Sequence, residues 1–143
     1  MKDKAVSQLE RRVTRLRMEL LEEYPFFGIL IMHLKPAVLE EIGTAATDST
    51  YLLLAPSFFE RLSEWEAKFV LLHEVMHCAL GHCDPERLGH RDPELFNIAC
   101  DIVVNSILME YFYLQQPLVL ADSELFCMTP DGWPGRDFTE REV

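Results

Sequence analysis

Residues 69–80 form an apolar run, Phe69, Val70, Leu71, Leu72, Val75, Met76, Ala79 and Leu80, and inside it stand His73, Glu74 and His77. Two imidazoles and a carboxylate cannot be buried in such a stretch without partners, because each unsatisfied polar group costs free energy. Whatever this chain folds into must therefore bring something polar to these three positions. Ser63, followed three residues later by Glu66, is a capping box, and it predicts a helix that opens there and ends near Gly81. On a helix, residues four apart return to one face. His73 and His77 can then bind one metal ion, at Zn–N distances of about 2.0–2.1 Å. Glu74, about 100° around the helix, can reach a water on that ion without ligating it, which suits a general base.

A catalytic zinc needs a third protein ligand and an open position. The favoured candidate is Asp101. Pro93 opens a third long helix running to about Leu114, apolar at Leu95, Phe96, Ile98, Ala99, Ile102, Val103, Val104, Ile107 and Leu108. Through it runs a polar stripe of Asn97, Asp101 and Asn105 at i, i+4 and i+8. A metal would satisfy the middle carboxylate, and the asparagines could orient ligands. The alternatives are a stripe paired with backbone or basic groups, or a ligand drawn from His82, His90, Asp92, Glu94 and Glu110. His82 follows His77 by five residues, about 140° away on a continuing helix, unless Gly81 breaks the helix and swings it back.

Four cysteines, Cys78, Cys83, Cys100 and Cys127, form no C-x-x-C pair, so free thiols are expected. A cysteine-based structural zinc site around Cys78, His82 and Cys83 matches none of the usual spacings, and buried small core residues are the better reading of these positions. His33 is read as structural. No Ser-His-Asp order, phosphate-cradling glycine loop or aromatic-basic nucleic-acid pattern is present.

The remaining segments predict an α+β domain, mainly helical with a small β-sheet. Val6, Leu9, Val13, Leu16 and Leu20 recur at helical spacing, so residues 4–23 read as an amphipathic helix, broken by Pro25 and Gly28. Residues 29–34 and 50–55 read as strands, the second being the candidate edge for holding an extended peptide. Pro36 suits the start of a short helix through Ile42, and residues 43–49 and 84–91 read as loops. The expected organisation is one domain over residues 1–143: an N-terminal helix (1–24), a metal-site core (25–120) and an irregular tail (121–143).

Hydrophobic residues make up 49% and charged residues 26% of the 143, which suits a folded domain. The net charge of −11 argues against nucleic acid or an anionic membrane as main partner. Six basic residues nevertheless crowd the first 17 positions, leaving the other 126 residues at −15. They read as a solvated helix face; the alternative is an arm docked on an acidic surface, such as that of its own domain. No apolar run approaches the ~18 residues of a membrane span. The charged start lacks the pattern of a secretory signal, so the cytoplasm is the default location.

Three stretches together resemble a known family: Gly43-Thr44-Ala45-Ala46-Thr47-Asp48; Leu72 to His77 with Gly81-His82; and Asn97 to Asp101 with Asn105. They look like the metallopeptidase domain found at the N-terminus of bacterial proteins that carry a von Willebrand factor A-like domain. The resemblance covers roughly residues 24–120. It implies a zincin-like fold, Zn²⁺ at His73 and His77, Glu74 as general base, Asp101 as third ligand, a peptide or protein substrate, and a MoxR-type ATPase as partner. One departure is that Asp48 is followed by Ser49 where the family more often has glycine. The other reading is a non-catalytic, metal-stabilised interaction module, in which a fourth protein group such as His82 or a cysteine closes the coordination shell.

Overall fold

The computed structural model describes residues 2–111. The architecture is α+β, mostly helical with a three-stranded mixed sheet, as expected from the sequence. The chain divides into two compact units, residues 1–83 and 84–143.

The first unit opens with α1 (Lys2–Glu23). Its stripe residues Leu9, Val13, Leu16 and Leu20 are buried, and Val6 is half-buried. The next segment departs from expectation. Residues 29–34 are no strand: 29–32 complete a helix, α2 (Pro25–Met32), which lies against α1, and His33 and Leu34 follow it as a turn. Pro25 occupies the first helical turn, where its missing N–H costs nothing. Gly28 does not break the helix but sits inside it, because any Cβ there would run into the backbone of Leu21. An apolar octapeptide with no alternation reads equally as buried strand or buried helix, and here close packing of two helices decides.

The sheet comprises β1 (Lys35–Val38), β2 (Ala45–Thr47) and β3 (Tyr51–Leu54) in the order β1-β3-β2. β1 runs parallel to β3, with Lys35 opposite Tyr51, and β2 runs antiparallel to it, with Ala45 opposite Leu54. Pro36 therefore lies in a strand rather than opening a helix, and the strand is at the edge, where a missing N–H is tolerated. A single 3₁₀ turn, Glu40–Ile42, is what remains of the expected short helix, and Gly43 closes it at φ 73°. The predicted loop over residues 43–49 contains β2. Strand β3 matches the expected strand at 50–55 but is central, so it cannot be the free edge assigned to it.

Between β2 and β3, the Asp48 carboxylate accepts from the N–H groups of Thr50 at 2.9 Å and Tyr51 at 2.7 Å. Those bonds hold its pKa below the usual carboxylate value. Ser49 has a left-handed φ of 75°, the conformation for which glycine is suited.

After β3 comes α3 (Pro56–Glu60), a short helix beyond the expected stop at Pro56. The long α4 (Glu64–Ala79) then starts as predicted. Ser63 Oγ accepts from the Glu66 N–H at 3.1 Å, and the Ser63 N–H donates to Glu66 Oε1 at 2.9 Å. α4 packs on β2 and α2 and is buried continuously from Phe69 to Met76. The fully buried side chains of this unit include Phe58, Phe59, Phe69, Leu52, Leu54 and Ile31. Each such side chain contributes about 1.5–3 kcal/mol through burial.

Of the basic residues of α1, Arg12, Arg15 and Arg17 are tied into this unit, while Lys4 and Arg11 are exposed. Arg12 donates to the carbonyls of Phe59 at 2.6 Å and Leu62 at 2.8 Å, and pairs with Glu64. Arg15 pairs with Glu19 and Glu64. Arg17 donates to the carbonyls of Ile31 and Leu34, and burial pulls its pKa down.

The second unit shows α5 (Pro85–Leu88) inside the predicted loop, then α6 (Pro93–Tyr111). Asp84 and Asp92 each cap a helix start: their side chains accept from the N–H groups of Glu86 at 2.9 Å and Glu94 at 2.9 Å. Along α6 the polar stripe grades inward, with Asn97 exposed, Asp101 half-buried and Asn105 buried. The expected continuation to Leu114, the core boundary at 120, Cys127 and the irregular tail 121–143 lie outside the described residues.

Candidate metal centre

Helix α4 delivers two imidazoles to one point. His73 and His77 lie one turn apart, and their Nε2 atoms approach to 2.9 Å. The rings meet edge to face, with centroids 4.6 Å apart. His73 is 2% exposed, so its imidazole is withdrawn from water. Two ring nitrogens turned toward each other in a part-buried place are a donor pair that can hold a metal ion. Glu74 is 5% exposed and next to this pair in the chain, a carboxylate held in a low-dielectric setting.

The helix ends where the sequence placed its end, and the ending matters. Gly81 takes φ 73°, the Leu80 N–H bonds back to the Met76 carbonyl, and the His82 N–H bonds to the His77 carbonyl at 2.9 Å. Reversing the chain at a left-handed glycine brings His82 back beside His77, where the two Nδ1 atoms lie 3.0 Å apart. The swing allowed for Gly81 thus occurs, but His82 arrives on the opposite ring edge of His77 from the one that faces His73.

The thiols are arranged differently from expectation. Cys78 and Cys83 are half-buried rather than core residues, while Cys100 is buried. Both of the first two reach Thr47 on β2: Cys78 Sγ lies 3.4 Å from Thr47 Oγ1, and Cys83 donates to the Thr47 carbonyl at 3.6 Å. The contact with Cys83, joined by those with Thr47 and Ser49, lowers the Cys78 pKa to about 6. The same contact, with burial, pushes the Cys83 thiol well up. Burial, with Asp101 next to it, raises Cys100 to about 11. Among the described residues, Cys78, His82 and Cys83 do not gather into one donor set.

Of the other residues singled out, Asp101 lies on α6 in the second unit, one turn after Asn97 and one before Asn105. His33 is exposed just past the end of α2, with Nδ1 2.9 Å from the Ile29 carbonyl. His90, Asp92 and Glu94 are exposed around the start of α6, and Glu110 is exposed near its far end. Thr47 and Ser49 were not foreseen as neighbours of the thiols. No spacing rule links residues 31 and 36 positions apart, and the packing of α4 on β2 creates that neighbourhood.

No curated protein and no solved structure matches this chain. One family model does, described as "Putative metallopeptidase domain", over residues 8–127. The match takes in α4 with its histidine pair, α6 with its polar stripe, and most of α1, well ahead of where the three sequence stretches began. The chain belongs to this metallopeptidase-domain family.

Proposed function

We propose that this chain is a zinc-dependent peptidase in which His73, His77 and Asp101 hold the metal and Glu74 is the general base. The observation that carries the reading is the 2.9 Å approach of the Nε2 atoms of the buried His73 and the half-buried His77 on α4, whose residue Glu74 is buried as well. Asp101 is the third ligand on the strength of the α6 stripe, which places one half-buried carboxylate between two asparagines. A zinc ion held there would supply Lewis acidity to the attacking water and the scissile carbonyl. Glu74 takes the proton of the attacking water and passes it to the departing amine. The substrate backbone would be held by strand addition on β2, the sheet edge that packs against α4. That edge replaces residues 50–55 in the role.

The competing reading, a metal-stabilised module without catalysis, requires a fourth protein ligand. The nearest candidate, His82, faces the wrong edge of His77, which favours the enzyme. The MoxR-type ATPase partner implied by the resemblance and the expected cytoplasmic setting belong to the same proposal. Among the described residues no helix is long and apolar enough to cross a membrane.

The test is a peptidase screen on zinc-loaded protein with Glu74→Gln as control. The variant should retain zinc and lose about 10²–10⁴-fold in turnover. Turnover equal to wild type would remove Glu74 from the mechanism.

A further inference from the structure

An imidazole that ligates a metal through one nitrogen carries its proton on the other, and the partner of that second nitrogen decides which tautomer is held. His77 is engaged on both edges of its ring: Nε2 faces His73 Nε2 at 2.9 Å, and Nδ1 faces His82 Nδ1 at 3.0 Å. If Nε2 is the ligating atom, Nδ1 must bear the hydrogen, and His82 Nδ1 must accept it. His82 is then itself a neutral imidazole protonated at Nε2.

We propose that His82 is a positioning residue: it accepts the Nδ1 proton of His77, fixes that ring's tautomer and tilt, and so presents His77 Nε2 to the metal without ligating it. This rests on the zinc-site reading above. The placement is built into the backbone. Gly81 at φ 73° reverses the chain, and the His82 N–H bonds to the carbonyl of the residue whose ring it orients. His82 is thus anchored to His77 twice, once through its main chain and once through its side chain. Ligation by His82 would need its nitrogen on the Nε2 side of His77, whereas it lies on the opposite edge. The neighbouring thiols do not compete for this role, since both sulfurs turn to Thr47.

The experiment compares wild type, His82→Ala and His82→Asn. Zinc affinity is measured by chelator competition, imidazole ligands are counted by X-ray absorption at the zinc edge, and the His77 tautomer is read by ¹⁵N NMR on metal-free protein. Wild type should show two imidazoles on zinc and a His77 protonated at Nδ1. His82→Ala should keep two imidazoles but bind zinc about 10–100-fold more weakly. His82→Asn, whose side-chain carbonyl can still accept the Nδ1 proton, should recover most of that loss. Three imidazoles in wild type and two in His82→Ala would make His82 a ligand and overturn the proposal. So would unchanged affinity in His82→Ala, or a His77 protonated at Nε2. Wild-type protein that takes up no zinc would overturn the zinc-site reading as well, which separates that failure from one confined to His82. If His82→Ala does not fold, the wild-type tautomer and the asparagine variant still decide.

Discussion

Ser49 shows how a single residue can carry a cost that its neighbours impose. It stands at φ 75° in the turn after β2, pinned there because Asp48 already binds the N–H groups of Thr50 and Tyr51. A side chain in that conformation costs roughly 1–2 kcal/mol that glycine avoids. Ser49→Gly should therefore stabilise the protein by about 1 kcal/mol in urea denaturation; a loss of stability would mean that the hydroxyl's contact with the thiols outweighs the strain. That His73 and His77 meet on one face of α4 was legible in the sequence, because helix geometry alone fixes a four-residue spacing. The placement of His82 was only half legible. Its approach depends on a backbone reversal at Gly81, which spacing permits but does not specify which ring edge it meets.

At the scale of elements, local signals succeeded where chemistry is local. The capping box at Ser63 and Glu66 is a contact within four residues, and it is present with both hydrogen bonds. Ser63→Ala should cost about 1 kcal/mol, read as a lower denaturation midpoint with an unchanged slope. No change would show that packing of α4 leaves its cap redundant. Local signals failed at α2, where an apolar run without alternation was read as strand. The deciding fact is the absent side chain of Gly28 against Leu21, a contact between two helices. Gly28→Ala should destabilise by at least about 1–3 kcal/mol, since the obstacle is main chain and cannot step aside. A neutral result in thermal unfolding would contradict the packing of α1 on α2. The sheet was misread for a similar reason: that β3 is central follows from a parallel pairing with β1, and no single segment encodes its neighbour.

For the molecule as a whole, the acidic balance and the basic N-terminal segment are parts of one design. Arg12 and Arg15 meet Glu64 at the start of α4, and Lys68 on the same helix meets Glu19 and Glu23 of α1. These exposed pairs contribute little each. They nonetheless join the N-terminal helix to the element that carries the histidines, and the family match beginning at residue 8 includes that helix. The central claim is that one metal draws His73 and His77 from α4 and Asp101 from α6. The most direct measurement is zinc content by mass spectrometry on protein purified without chelator, wild type beside His77→Ala and Asp101→Ala. About one zinc per chain in wild type, lost in both variants, is the predicted result. Wild type without zinc, and taking up none when it is added, would contradict the claim; zinc retained by Asp101→Ala would contradict the third ligand.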